Sequence, residues 1–253
     1  SGHPGGSLSE IELLVALYAH EMTYDPNNPS LPTRDRLVLS KGHGIPGLYA
    51  VMAQFGFWGR DELMSLRKLG SKFQGHPDRC RLAGLEASTG SLGQGLSIAI
   101  GYALAAKVDK ADYRTYCIIG DGESNEGQIW EAAMFAGHNK LDNLIAITDY
   151  NKLQIDGFTD EVMTIEPLAA KWRAFNWDVL EMDGHNWDDI DATLCKAREI
   201  KGKPVMIIAH TIKARDCAAV ENKPESHNIK VDNAEVHAKY MAALKRTGYS
   251  LPY

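Results

Sequence analysis

The chain has 253 residues, a formal net charge of −6, 24% charged and 44% hydrophobic residues. That length predicts a single α/β domain over 1–253 with ample buried core, and a mildly acidic balance excludes the electrostatic signature of a nucleic-acid or anionic-membrane binder. With no run of ~18 apolar residues, no signal-like start, and four cysteines (Cys80, Cys117, Cys195 and Cys217) too scattered for a zinc site or a disulfide scaffold, the expectation is a cytoplasmic protein with reduced thiols.

The chain opens on Ser1-Gly2-His3-Pro4-Gly5-Gly6, a loop-like string without a methionine, which reads as a processed or partial N-terminus. Ser7 and Glu10 have capping-box spacing ahead of an amphipathic helix over 11–22. Residues 25–36 form a loop rich in Pro and Asn. A short strand ending in a glycine turn is predicted over 37–44, a helix over 46–56, and loop over 68–90. The run over 91–108 predicts a long helix of small side chains, with Gly93, Gly95, Ser97, Ala99, Gly101, Ala103, Ala105 and Ala106 permitting close approach of another backbone.

A regular alternation follows: strands over 115–121, 143–150, 177–184 and 204–211, and helices over 126–141, 165–175, 187–200 and 233–248. Apolar strands each followed by a helix argue for a doubly wound, mainly parallel sheet flanked by helices on both faces. Ligands of such sheets bind beyond the C-terminal strand ends. Three stretches fall there: Gly120-Asp121-Gly122, Tyr150-Asn151-Lys152, and the residues after Thr211.

At the first edge, glycines allow close backbone approach, and the N-terminus of the following helix suits a phosphate. Asp121 repels a phosphate unless a divalent cation lies between them, and magnesium favours such hard oxygen ligands. Asn151 follows Asp121 by 30 residues, one strand-helix-strand step, so its amide oxygen and a nearby carbonyl can complete the protein's share of a metal site. Taken alone, a Gly-Asp-Gly is also an ordinary tight turn. A nicotinamide fingerprint requires glycine where Asn125 stands. His3, His43 and His76 each follow a glycine in a predicted loop, and His227 lies in another loop. Together they suggest a polar site able to move protons. His20, His138 and His237 fall on predicted helices, and His185 and His210 read as structural groups.

These strings together resemble the diphosphate-binding half of the transketolases, over nearly the whole chain: SGHPGG at 1–6, LSKGHG at 39–44, GHP at 75–77, STGSLGQGLSIAIG at 88–101, GDGESNEGQIWEAA at 120–133 and DYNKLQIDG at 149–157. The resemblance implies thiamine diphosphate and magnesium, with calcium or manganese able to substitute. It implies that Asp121, the Asn151 side chain and the Leu153 carbonyl hold the metal. Gly122, His43 and His227 then contact the diphosphate or thiazolium region, Gly90, Ser91 and Leu92 line the ring cleft, and Ile155 lies beneath the thiazolium. His3, His43, His76 and His227 are implied as catalytic histidines, and Glu126 as a carboxylate contact between subunits. The cofactor supplies the reactive carbon, while the protein orients the substrate, moves protons and excludes water.

A full-length transketolase adds a second α/β domain that grips the aminopyrimidine. The resemblance therefore implies the N-terminal subunit of a split transketolase, with a separate C-terminal subunit carrying the pyrimidine-binding domain, a two-plus-two assembly, and sugar or sugar-phosphate substrates whose contacts lie largely in the other domain. The implied reaction moves a two-carbon ketol unit from a ketose donor to an aldose acceptor. The alternatives are a relative acting on an unusual ketose, an enzyme of the deoxyxylulose-phosphate synthase type, and a non-catalytic partner domain. Ala214 and Asp216 stand where the family favours glycine, and Asn228 follows His227 where glycine is common. These departures touch the loop over the cofactor and bear on the usual sugar-phosphate specificity rather than on the cofactor.

Overall fold

The computed structural model describes residues 2–155, 157–231 and 233–244. Among them five strands form one sheet: β1 (Arg36–Leu39), β2 (Thr115–Gly120), β3 (Leu144–Tyr150), β4 (Asp178–Asp183) and β5 (Val205–His210). Their order is β1-β2-β3-β5-β4, and every pairing is parallel. The predicted doubly wound class is observed.

The strands are apolar on both faces because helices cover both. Side chains alternate along a strand, so Tyr116 and Ile118 point into a core with Leu13, Leu17, Leu48 and Leu194, whereas Cys117 and Ile119 point into a second core with Ala99, Ala103, Ala133 and Trp172. The first core is closed by α2 (Ile11–Ala16), α3 (Ile45–Gln54) and α8 (Trp187–Glu199). The second is closed by α4 (Gln94–Asp109), α5 (Gly127–His138) and α7 (Leu168–Ala174), with the short α6 (Thr159–Val162) preceding α7 in the chain. Helix α8 starts where the Asn186 side chain accepts from the backbone N–H groups of Asp188 and Asp189. Acidic residues fill its first turn and Lys196 and Arg198 its last, matching the helix dipole. All four cysteines are free.

Several local expectations need correction. The opening string is not a loop: Pro4 starts helix α1 (Pro4–Ser9), because proline's fixed φ suits the first helical turn. Ser7 therefore lies inside a helix, and its hydroxyl donates to the Gly44 carbonyl at 3.1 Å and accepts from the Gly47 N–H rather than capping. Glu10 makes no capping bond either. It turns inward, with Oε2 lying 2.9 Å from the ammonium of buried Lys41. The helix over 11–22 widens into a π turn at Leu17–Glu21.

The small-residue helix begins at Gln94, after Gly93 adopts a left-handed φ of 85°. Its inner small residues serve its own sheet. A Cβ on Gly95 would lie 2.5 Å from the Cα of Ser40, and Ala99, Ala103 and Ala106 are fully buried. Ser97, Gly101 and Ala105 face outward. The last helix is α9 (Ala234–Ala243). The part expected over 245–248 lies outside the described residues. No helix among the described residues is long and apolar enough to cross a membrane.

Candidate active site

Strand register decides where the chemistry gathers. Gly120 pairs with Asp149, and Asp149 with Ala209. Asp121, Asn151 and Thr211 therefore leave the sheet side by side at its C-terminal edge, as expected of a parallel sheet. A cleft of about 300 Å³ opens there, bounded by Lys41, Asp121, Gly122, Asn151, Lys213 and the four predicted histidines, with Gly90, Leu92, Leu153 and Ile155 also in its walls. A more apolar groove of about 490 Å³ lies on the other side of His3, walled by Leu8, Ile11, Val220 and Tyr240 among others. It offers little for proton transfer.

Asp121 is buried, and its two carboxylate oxygens accept from the Gly122 N–H at 2.7 Å and the Lys152 N–H at 2.5 Å. Burial, reinforced by nearby Asp149, pushes its carboxyl up to about 7. A nearby cation reverses such a shift. Asn151 Oδ1 accepts from the Leu153 N–H at 3.1 Å, and its Nδ2 donates to Asp149 Oδ2 at 3.1 Å. The Leu153 carbonyl accepts from Lys213 Nζ at 2.9 Å.

These are three hard oxygen donors, a carboxylate, an amide and a carbonyl, the set a magnesium ion prefers. Each carbonyl-type oxygen keeps a second lone pair. No group of three or more His, Cys, Asp or Glu side chains among the described residues is arranged to hold a metal, so any cation here depends on the neutral oxygens as well as on Asp121. Gly122 is pressed by the neighbouring loop, since a Cβ there would lie 2.9 Å from the Gln154 Cβ. Buried Gln154 Nε2 and His3 Nδ1 have no protein partner. Buried polar atoms are normally satisfied, and these two border the cleft. The residues present thus fit a polyanionic ligand held through a divalent cation.

The histidines, far apart in sequence, converge. The His3 ring centroid is 5.4 Å from that of His43, 6.1 Å from His76 and 5.3 Å from His227, and His43 and His227 are 5.2 Å apart. All four are held below the ordinary imidazole range. Burial, then Lys41, lowers His43 to about 2; burial, then Lys213, lowers His227 to about 4. Burial leads for the other two as well, followed by His76 for His3 and by Arg67 for His76. They are neutral at neutral pH, so each ring carries one donor and one acceptor nitrogen.

The remaining sequence-predicted residues are distributed differently. The side chain of Ile155 is 63% exposed at the cleft wall, an apolar surface open to a ring above it. Gly90 lets the His76 ring approach, since a Cβ would lie 3.0 Å from that ring. Ser91 and Glu126 are exposed and are not among the residues bounding the cleft. Glu126 precedes α5 at the surface, where a second chain can reach it. Ala214 and Asp216 adopt left-handed φ of 57° and 61°, so the backbone keeps the conformation that favours glycine despite the substitutions.

Sequence reading missed the buried charges behind the cleft. Lys41 Nζ lies 2.5 Å from Asp149 Oδ2 and 2.9 Å from Glu10 Oε2, and all three residues are buried. One ammonium balances one carboxylate. Asp149 keeps its charge, held low by Lys41, and the excess falls on Glu10, which burial raises to about 8. Glu123 was also missed. Its oxygens accept from Ser40 Oγ, Gly93 N–H and Gly120 N–H, tying β1, α4 and β2 together under the glycine turn. Nothing in a single sequence marks these acids as buried.

The transketolase thiamine diphosphate binding domain family matches residues 1–249. The chain belongs to this family. It is 51% identical, over 98% of its length and 90% of the relative's, to a 6-deoxy-6-sulfo-D-fructose transketolase subunit of Clostridium sp. strain MSTE9. It is 45% identical, over 90% and 81%, to one of the apulose-4-phosphate transketolase subunits of Phocaeicola vulgatus. Human transketolase is 44% identical over 90% of this chain, which spans only 36% of that protein. The solved transketolase of Campylobacter jejuni superposes with a TM-score of 0.87 at 35% identity, covering 96% of this chain and 39% of that one. The family membership supports thiamine diphosphate as the ligand of the cleft.

Proposed function

We propose that this chain is the diphosphate-binding subunit of a split transketolase. It transfers a two-carbon ketol unit from a ketose donor to an aldose acceptor, together with a separate subunit that carries the pyrimidine-binding domain in a two-plus-two assembly. The observation that carries the proposal is the cleft itself: three metal-type oxygens from two neighbouring strand ends, facing four neutral histidines. The relatives named as subunits, which this chain covers over 81–90% of their length, support the split form over the one-chain form. They also favour a ketose bearing an anionic terminal group, sulfonate or phosphate.

In this reading Asp121, Asn151 and the Leu153 carbonyl hold magnesium against the diphosphate, with Lys213 supplying a second positive charge. Gly122 admits the diphosphate to the backbone, and Ile155 and Leu92 give the ring an apolar seat. When bound, thiamine diphosphate supplies the nucleophilic carbon and the electron sink that carbon–carbon cleavage requires. The chain's contribution is orientation and proton movement. His3, His76 and His227 donate and accept hydrogen bonds with substrate hydroxyls; a neutral imidazole takes the proton of the donor hydroxyl as the adjacent carbon–carbon bond breaks and that carbon becomes a carbonyl, and gives a proton to the acceptor's carbonyl oxygen as the new carbon–carbon bond forms there. His43 and His227, half-buried in the cleft wall, limit competing water.

The test is ketol transfer over a panel of phosphorylated, sulfonated and neutral ketoses, with this chain by itself, its companion by itself, and the two together. The reading predicts turnover only for the pair. Robust turnover by a monodisperse preparation of this polypeptide alone overturns the split-enzyme reading.

A further inference from the structure

The proposed metal ligand Asn151 is not self-orienting. An amide side chain presents an oxygen on one side and two donor hydrogens on the other, and only the oxygen is useful to a cation. Asn151 sits at the end of β3, two residues beyond Asp149, with Nδ2 directed to Asp149 Oδ2 at 3.1 Å and Oδ1 accepting the Leu153 N–H.

Asp149 is itself held from several sides. Its Oδ2 receives Lys41 Nζ and Ser9 Oγ, each at 2.5 Å, and its Oδ1 receives the Thr211 hydroxyl. These donors come from α1, the end of β1 and the end of β5, so the carboxylate is fixed relative to three separate elements. An ionised carboxylate only accepts, and it therefore tolerates one orientation of the neighbouring amide. The flipped amide would set Oδ1 against Oδ2 of Asp149 and aim the Nδ2 hydrogens toward the Leu153 N–H and the cation position, three repulsive contacts in a low-dielectric interior.

We propose that Asp149, locked by Lys41, Ser9 and Thr211, is the positioning residue that fixes the Asn151 amide with its oxygen toward the cation. This rests on the assignment of Asn151 as a metal ligand. It adds a distinct claim: cation affinity of the site is set in part by a carboxylate that does not touch the cation. It also gives the buried Lys41 a function. Burying an ammonium is costly unless it is paired, and here the pairing keeps the selecting carboxylate charged.

The test titrates magnesium into the assembled complex at fixed thiamine diphosphate, following cofactor binding by calorimetry, for four proteins. Asp149→Asn retains the shape but presents either an oxygen or an amide NH₂ to Asn151, so the selection is lost. The magnesium concentration for half-saturation is expected to rise ~10–100-fold, the range typical of groups that orient metal ligands. Thr211→Val removes the bond to the other carboxylate oxygen and leaves the Asn151 contact in place. It is expected to loosen the carboxylate, lowering the melting temperature and raising the half-saturating magnesium concentration by less than Asp149→Asn does, ~3–10-fold, because Lys41 and Ser9 still hold the oxygen that faces Asn151. Lys41→Met with Asp149→Asn removes the stranded charge and keeps the measurement possible if the single variant folds poorly. It is expected to show the same loss of metal affinity. A folded Asp149→Asn protein, single or double, with unchanged magnesium dependence overturns the positioning role while the metal assignment stands. Absence of any magnesium dependence in the unaltered protein overturns both.

Discussion

Lys213 Nζ bridges the Leu153 carbonyl, at 2.9 Å, and His227 Nδ1, at 3.1 Å. One buried ammonium thus joins the proposed metal-binding loop to the histidine of the covering loop. Burial lowers this lysine to about 8, and the charges of Asp121 and Asp149 oppose that fall, so it stays protonated at neutral pH. Lys213→Met is expected to weaken thiamine diphosphate binding by about tenfold, on the scale of a lost charge-assisted contact. It is also expected to raise the His227 titration point toward, but not to, 6.5, because burial remains the larger cause of its depression. Histidine NMR titration reads the second effect without turnover, and an unchanged His227 would separate the two groups electrostatically.

Asp121→Ala removes the one charged metal ligand in the proposed set. Magnesium-dependent cofactor binding is expected to fall by more than ~100-fold, beyond the effect of an orienting group. The intact protein should show a matching pH dependence. With its carboxyl near 7, Asp121 is increasingly protonated below that pH, and a proton competes with the cation. Magnesium affinity is expected to drop by up to ~tenfold per pH unit below 7 and to level off above it. Calorimetry at pH 6, 7 and 8 checks this, and a flat profile would show Asp121 to be ionised throughout that range.

His76 is exposed at the cleft mouth and makes its nearest ring contact with His3. His76→Ala is expected to slow turnover of the assembled enzyme by ~10²–10⁴-fold, the usual worth of a general acid–base group, with cofactor affinity nearly unchanged. Steady-state activity within about twofold of the parent, far short of that scale, would leave His76 a wall residue.

Glu10 gives a stability signature. Its folded-state carboxyl is raised from 4.5 to about 8, so the folded protein holds a proton that the unfolded chain releases. That contribution is complete below 4.5 and is lost as pH rises through 8. Glu10→Gln mimics the protonated form. It is expected to flatten the decline in stability between pH 6.5 and 8 relative to the parent, the comparison cancelling the other groups, such as Asp121 and Lys213, that titrate in the same window. Urea unfolding of both proteins across that window measures it, and parallel pH profiles would show Glu10 to be ionised throughout.

Sequence alone determined the architecture and which residues gather at the edge where the candidate cleft opens. Apolar strand runs such as TYCIIG, alternating with amphipathic helices, leave a parallel sheet covered on both faces as the arrangement that buries them, and this dictates that Asp121, Asn151 and the residues after Thr211 emerge at one edge. Glycine-flanked histidines in predicted loops were legible for the same reason: local composition marks a turn and a titratable group together. Local pattern misled where tertiary partners outweighed it, as when Ser7 gave up capping to bond Gly44 and Gly47. Only the tertiary structure decided which charges are buried and with what. Lys41, Glu10, Asp149 and Glu123 look like surface residues in the chain, because burial is a property of the packed elements around a side chain. The pairing of Lys41 with Asp149 spans 108 positions, and it took the folding of α1, β1 and β3 against one another to turn three ordinary charged residues into the floor of the site.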